Sequence, residues 1–72
     1  MKRFPKLKHE KEVMKAYAEH SHIMENSRVY HGWSYGHPVR GWYDKDGNLC
    51  VKYESGDVFH YEWSDGELKY WQ

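Results

Sequence analysis

Three turn signals, "DKDGN", "ESGD" and "SDGE", divide the last thirty residues of this chain, and their glycines, Gly47, Gly56 and Gly66, stand nine and ten residues apart. That spacing is the spacing of an antiparallel meander. Turn chemistry also sets which residues face each other. Glu54-Ser55-Gly56 reads as a three-residue loop with Gly56 in the left-handed position. It places Tyr53 opposite Asp57, Val51 opposite Phe59 and Leu49 opposite Tyr61. A two-residue loop would instead place Leu49 opposite Glu62. Asp65-Gly66 reads as a two-residue type I′ turn that sets Trp63 against Leu68 and Tyr61 against Tyr70. A loop over 44–48 pairs Tyr43 with Leu49 and keeps Val39 and Tyr43 on one face.

The strands expected from these turns are 39–43, 49–53, 58–63 and 68–71, and 29–35 is a candidate fifth. One face of the sheet carries Val39, Tyr43, Leu49, Val51, Tyr53, Phe59, Tyr61, Trp63, Leu68 and Tyr70. Upstream the period changes. Residues 8–25 contain neither Gly nor Pro, and Val13, Met14, Tyr17, Ser21 and Met24 recur at helical spacing, flanked by Ala16, Ala18 and Ile23. Lys8–Glu12 and Lys15–Glu19 add i,i+4 pairs on the wet side. Pro5 suits the start of the helix, and Asn26-Ser27 its end. The expected fold is α+β: one amphipathic N-terminal helix packed on a four- to five-stranded antiparallel meander, in a single domain over 1–72.

Seventy-two residues with one cysteine, Cys50, can form no internal disulfide, which suits a reducing compartment. A single core of this size rarely supplies more than about 3–5 kcal/mol. The seven Tyr, four Trp and two Phe must therefore provide most of the buried area. The charged start "MKRFPKLKHEKE" has no apolar signal-peptide run, and no stretch reaches the length of a membrane span. A soluble, cytoplasmic protein with no membrane contact is expected, of a size that suits a bacterial or phage source. Net charge is zero, but residues 1–15 hold six Lys/Arg against two Glu and residues 44–72 hold seven Asp/Glu against three Lys. The molecule has a basic end and an acidic end.

The segments Tyr43-Asp44-x-x-Gly47-x-Leu49 and Tyr61-x-Trp63-x-x-Gly66-x-Leu68 resemble the YD-type hairpin repeats of large secreted bacterial shells. The resemblance covers under half of the chain, and the second copy is one residue short and lacks its Asp. It implies aromatic hairpins and carries no function.

The same register sends Arg40, Trp42, Cys50, Lys52, Val58, His60, Glu62, Lys69 and Trp71 to the opposite face. Trp42, Cys50, His60 and Trp71 form a row across it. A helix about 10–12 Å wide covers most of one face of a sheet about 15 Å across and none of the other. Two readings of this open face follow. In one, the glycine-rich loop bends back so that Trp33 and Tyr35 shield it. In the other it is a recognition surface for a protein partner, using Trp33, Tyr35, Arg40, Trp42, Lys52, His60 and Trp71. The free edge at 68–71 offers pairing with a second copy of the chain.

Cys50 and His60 are expected neighbours, but no third orienting group can be named for a thiol nucleophile. Asp44 and Asp46 sit in a turn, where Asp serves turn geometry. No catalytic residue is assigned. His20 and His22 point about 200° apart on a helix, and one cysteine gives no zinc-finger spacing. No metal and no cofactor are expected. Lys2, Arg3, Lys6, Lys8, Lys11 and Lys15 form a basic segment that suits phosphate contacts. Nucleic-acid binding through it is the alternative to a non-enzymatic protein-interaction module.

Overall fold

A computed structural model describes residues 7–29 and 32–72. Helix α1 spans Glu10–Glu25, and strands β1 (Pro38–Tyr43), β2 (Leu49–Tyr53), β3 (Val58–Ser64) and β4 (Glu67–Trp71) follow. The strands form one antiparallel sheet in the order β1-β2-β3-β4. The chain is α+β, with one helix packed on a four-stranded meander.

Turn chemistry sets the register as expected. Gly56 has φ +95°, and Tyr53 N–H donates to Asp57 O at 2.9 Å to close the three-residue loop. Val51 then faces Phe59, and Leu49 faces Tyr61. Asp65 and Gly66 both take positive φ, 52° and 80°, the signature of a type I′ turn. Trp63 faces Leu68, and Tyr61 faces Tyr70. Asp44 N–H donates to Asn48 O at 3.0 Å and closes the first loop, with Tyr43 opposite Leu49.

Four details differ from the sequence reading. The helix begins at Glu10, because His9 sits in the left-handed region (φ 57°) and breaks the helical path. Residues 32–35 form no strand, and 30 and 31 lie outside the described residues. An irregularity between Pro38 and Arg40 puts Pro38, not Val39, opposite Tyr53. A bulge of this kind shifts the chain by one residue and re-aims the side chains beyond it. Finally, the buried face of α1 is Val13, Ala16, His20 and Met24, whereas Met14 and Ile23 are 42% and 41% exposed. The apolar stripe is thus rotated toward a histidine. Tyr43 keeps its predicted pairing but lies at the margin, where its ring meets His9 edge-on at 4.8 Å.

The reason for the rotation lies in the core. Tyr61 and Tyr53 are buried, and a buried hydroxyl needs a partner. Tyr61 OH lies 2.6 Å from Tyr53 OH and 2.6 Å from His20 Nδ1. His20 is fully buried among the rings of Trp33, Phe59, Tyr61 and Tyr70. An apolar residue at position 20 would leave one hydroxyl of the Tyr53–Tyr61 pair without an acceptor. Burial pushes Tyr53 up to about 12. Burial, and next the hydrogen bond with Tyr53, holds Tyr61 well above the usual tyrosine range. Both hydroxyls stay neutral at physiological pH.

Gly41, opposite Val51 on the covered face, lies against both the chain before the helix and the helix itself. A Cβ there would collide with Val13 Cγ2 and lie 3.0 Å from Lys8 O. Gly41→Ala should therefore lower unfolding stability by about 1–3 kcal/mol through overpacking, measured as a fall in the urea midpoint at unchanged m-value.

Desolvation lowers His20 to about 4, against about 6.5 in an unfolded chain. Between these values the unfolded state binds the extra proton. Stability is complete above about pH 6.5 and falls as pH drops toward 4, by up to about 3 kcal/mol. Urea melts at half-unit pH steps should show this loss, and His20→Phe should flatten that part of the profile while lowering stability at neutral pH.

Candidate functional site

The hairpin register assembles the open face. Trp42 faces Cys50, Cys50 faces His60, and His60 faces Trp71, so the expected row crosses all four strands. His60 stacks on Trp71 with ring centres 5.6 Å apart and planes 13° from parallel. The Arg40 guanidinium lies 5.2 Å from the centre of the Trp42 ring, a cation–π contact. Arg40, Lys52, Glu62, Lys69 and Trp71 are exposed, and Trp42 and His60 are half-buried. Glu62 faces Lys69 in a complementary pair. Arg40 faces Lys52, two like charges at directly opposed positions.

Trp33 and Tyr35 lie elsewhere. The loop folds onto the covered face. Trp33 meets Tyr17, His20 and Tyr53 edge-on, and its indole N–H donates to Gly36 O at 2.6 Å. Tyr35 meets Phe59 and Trp33. The two rings pack against the core beside Tyr17 and His20 and neither shield nor join the open face. Backbone bonds explain the direction of the fold: Ser55 N–H donates to Tyr35 O at 3.1 Å and Glu54 N–H to His37 O at 3.0 Å. Glu54 Oε1 accepts from His37 N–H at 2.8 Å, and this bond is the leading cause that holds the Glu54 carboxyl below its ordinary value.

One residue joins the row that the sequence reading had left in a turn. Asp44 Oδ1 accepts the backbone N–H groups of Asp46 and Asn48, each at 2.9 Å. That loop geometry fixes the carboxylate and turns Oδ2 toward the open face, 3.4 Å from His60 Nδ1 and 3.9 Å from Cys50 Sγ. Cys50 Sγ lies 3.1 Å from His60 Nδ1. The Asn48 backbone hydrogen bond is the largest influence on the Asp44 carboxyl and holds it below the usual range, aided by Asp46 and His60. Burial first, and then the Asp44 charge, raises the Cys50 thiol above its ordinary value.

This arrangement differs from a thiol catalytic triad. In such a triad the imidazole meets the nucleophile with one nitrogen and the carboxylate with the other. Here Nδ1 faces both. The sulfur is also fully buried and its thiol form is favoured, the reverse of an activated nucleophile.

Three of the six basic residues, Lys8, Lys11 and Lys15, lie within the described residues. Lys8 precedes the helix, and Lys8 and Lys11 are exposed. Lys15 Nζ sits 4.9 Å from the centre of the Trp63 ring, whose N–H donates to Glu19 at 3.2 Å. Lys2, Arg3 and Lys6 lie outside the described residues. Among the described residues no helix is long and apolar enough to cross a membrane. Comparison of the chain with protein-family models, curated proteins and solved structures finds no match to any of them.

The burial of Cys50 gives a direct check. At pH 8 the native protein should react with a disulfide reagent more than about tenfold slower than free glutathione, and mild urea should restore the rate.

Proposed function

We propose that this chain is a protein-interaction module rather than an enzyme, and that the open face of its sheet binds an acidic segment of a partner protein bearing an aromatic or apolar anchor. The observation that carries this reading is the corner made by Arg40, Trp42 and Lys52. Arg40 and Lys52 stand at directly paired positions on β1 and β2. Like charges so placed disfavour the sheet by a few tenths of a kcal/mol. No ion pair holds either cation among the described residues. A partner carboxylate between them would remove the repulsion and form charge-assisted hydrogen bonds. Trp42 lies beside this corner, and Trp71, 40% exposed, ends the same row on β4. Trp and Arg are the residue types that dominate binding energy at interfaces. A nucleic acid is the less favoured partner, because Glu10 and Glu12 interleave the basic segment and Lys15 lies over Trp63. The single cysteine, kept as a thiol, suits a reducing cytoplasm.

Selection of random dodecapeptides on the purified protein tests the reading. Peptides rich in Asp and Glu around an aromatic residue should emerge, and their amide shift changes should map to Arg40, Trp42, Lys52 and Trp71. Arg40→Glu with Lys52→Glu, and separately Trp71→Ala, should each weaken binding by about tenfold or more. Selection of neutral or basic peptides, mapping to α1, association only between copies through β4, or tight low-salt binding of single-stranded DNA would each overturn it.

A further inference from the structure

We propose that Asp44, Cys50 and His60 form a binding site for a zinc-class divalent cation, with three protein donors and a fourth position open to water. The inference stands on the convergence of three donor atoms and is independent of the partner reading above.

The geometry is the first support. Sγ to Nδ1 is 3.1 Å, Nδ1 to Oδ2 is 3.4 Å, and Sγ to Oδ2 is 3.9 Å. Tetrahedral zinc with about 2.3 Å to sulfur and about 2.0–2.1 Å to nitrogen and oxygen sets its donors about 3.3–3.6 Å apart. The observed triangle brackets those edges, so an ion fits with shifts of a few tenths of an ångström. The three atoms all lie within 4.8 Å of one another.

Hydrogen bonding is the second support. One ring nitrogen faces both a thiol and a carboxylate oxygen. If unprotonated Nδ1 accepts a hydrogen bond from the thiol, the same lone-pair side faces the carboxylate, which can donate nothing to it. If Nδ1 carries a proton toward Asp44, the thiol is left with only long contacts, 3.7 Å to Asn48 O and 3.9 Å to Asp44 Oδ2. A cation at the centre satisfies all three at once. The thiol proton passes to solvent as the metal–sulfur bond forms.

Orientation is the third support. Metal ligands work when their surroundings fix them. The other oxygen of Asp44 is held by two backbone N–H groups, and the His60 ring is held against Trp71. Cys50 is fixed in a buried position in β2. The donors come from the β1–β2 turn, β2 and β3, so a bound ion would tie that turn to two strands. The His60 and Asp44 side chains remain 31% and 22% exposed, which leaves a route for the ion and space for a water. A donor set of sulfur, nitrogen and oxygen selects zinc over magnesium or calcium, which prefer oxygen alone.

Cobalt(II) is the probe, added to the reduced, metal-stripped full chain without oxygen. Saturation at one equivalent, with a sulfur-to-cobalt charge-transfer band and the strong visible bands of four-coordination, is expected. Zinc should bleach both. Bound cobalt should quench Trp71, and Trp71→Phe should reduce the quenching while keeping the bands. Cys50→Ala should abolish the charge-transfer band. Asp44→Asn keeps an oxygen for the Asp46 and Asn48 amides, so the loop stays folded, and should weaken cobalt by more than about tenfold. Zinc at a hundredfold excess over its Kd should raise the melting temperature by about 10 °C or more. Absence of the bands in the folded wild type, an equal affinity in Asp44→Asn, or equal binding by the urea-unfolded chain would overturn the site.

Discussion

Hairpin register is the constraint on which the rest of this structure depends. A strand has a side-chain period of two, so a slip of one residue would exchange the two faces. The loop at 54–56, closed by Tyr53 and Asp57, holds β2 against β3. The left-handed pair Asp65-Gly66 holds β3 against β4. With those turns in place, Leu49, Val51, Tyr53, Phe59 and Tyr61 come together under the helix, and Cys50 is brought beside His60 on the other side. The core and the candidate site are two results of one alignment.

The covered face shows how a small protein uses polar rings as a core. Aliphatic side chains are scarce, so tyrosines supply the area and bring hydroxyls with them. The line from Tyr53 through Tyr61 to His20 gives the two buried hydroxyls partners within the core. It makes a histidine the centre of the ring cluster, with Trp33 and Tyr35 packed against it.

What the sequence made legible follows from which interactions are local. Turn residues act over three to five positions, so the β2–β3 and β3–β4 pairings and the row from Trp42 to Trp71 are readable from spacing. The buried stripe of α1 is harder to read. His20 counts as polar in any periodicity count, and its hydrogen-bond partner in the core is Tyr61, 41 residues away. The fate of Trp33 and Tyr35 depended on backbone bonds to residues 54 and 55, which no periodic pattern announces. Gly41 has a reason only once Val13 is laid over it. Asp44 was visible as a turn former. Its second role arises because the loop occupies one carboxylate oxygen and directs the other toward Cys50 and His60.

Strand order also bears on how the chain folds. Each strand pairs with its immediate neighbour along the chain, so no pairing requires a long crossover. Hairpins of this length form in about 1–10 μs, and topologies dominated by local pairing fold faster than sandwiches of similar size. The helix returns to the far strand, where His20 meets Tyr70 across fifty positions of chain, a closure that costs more chain entropy than any of the hairpin turns. The largest single loss of chain entropy in this topology therefore falls at the His20 ring cluster rather than in the sheet.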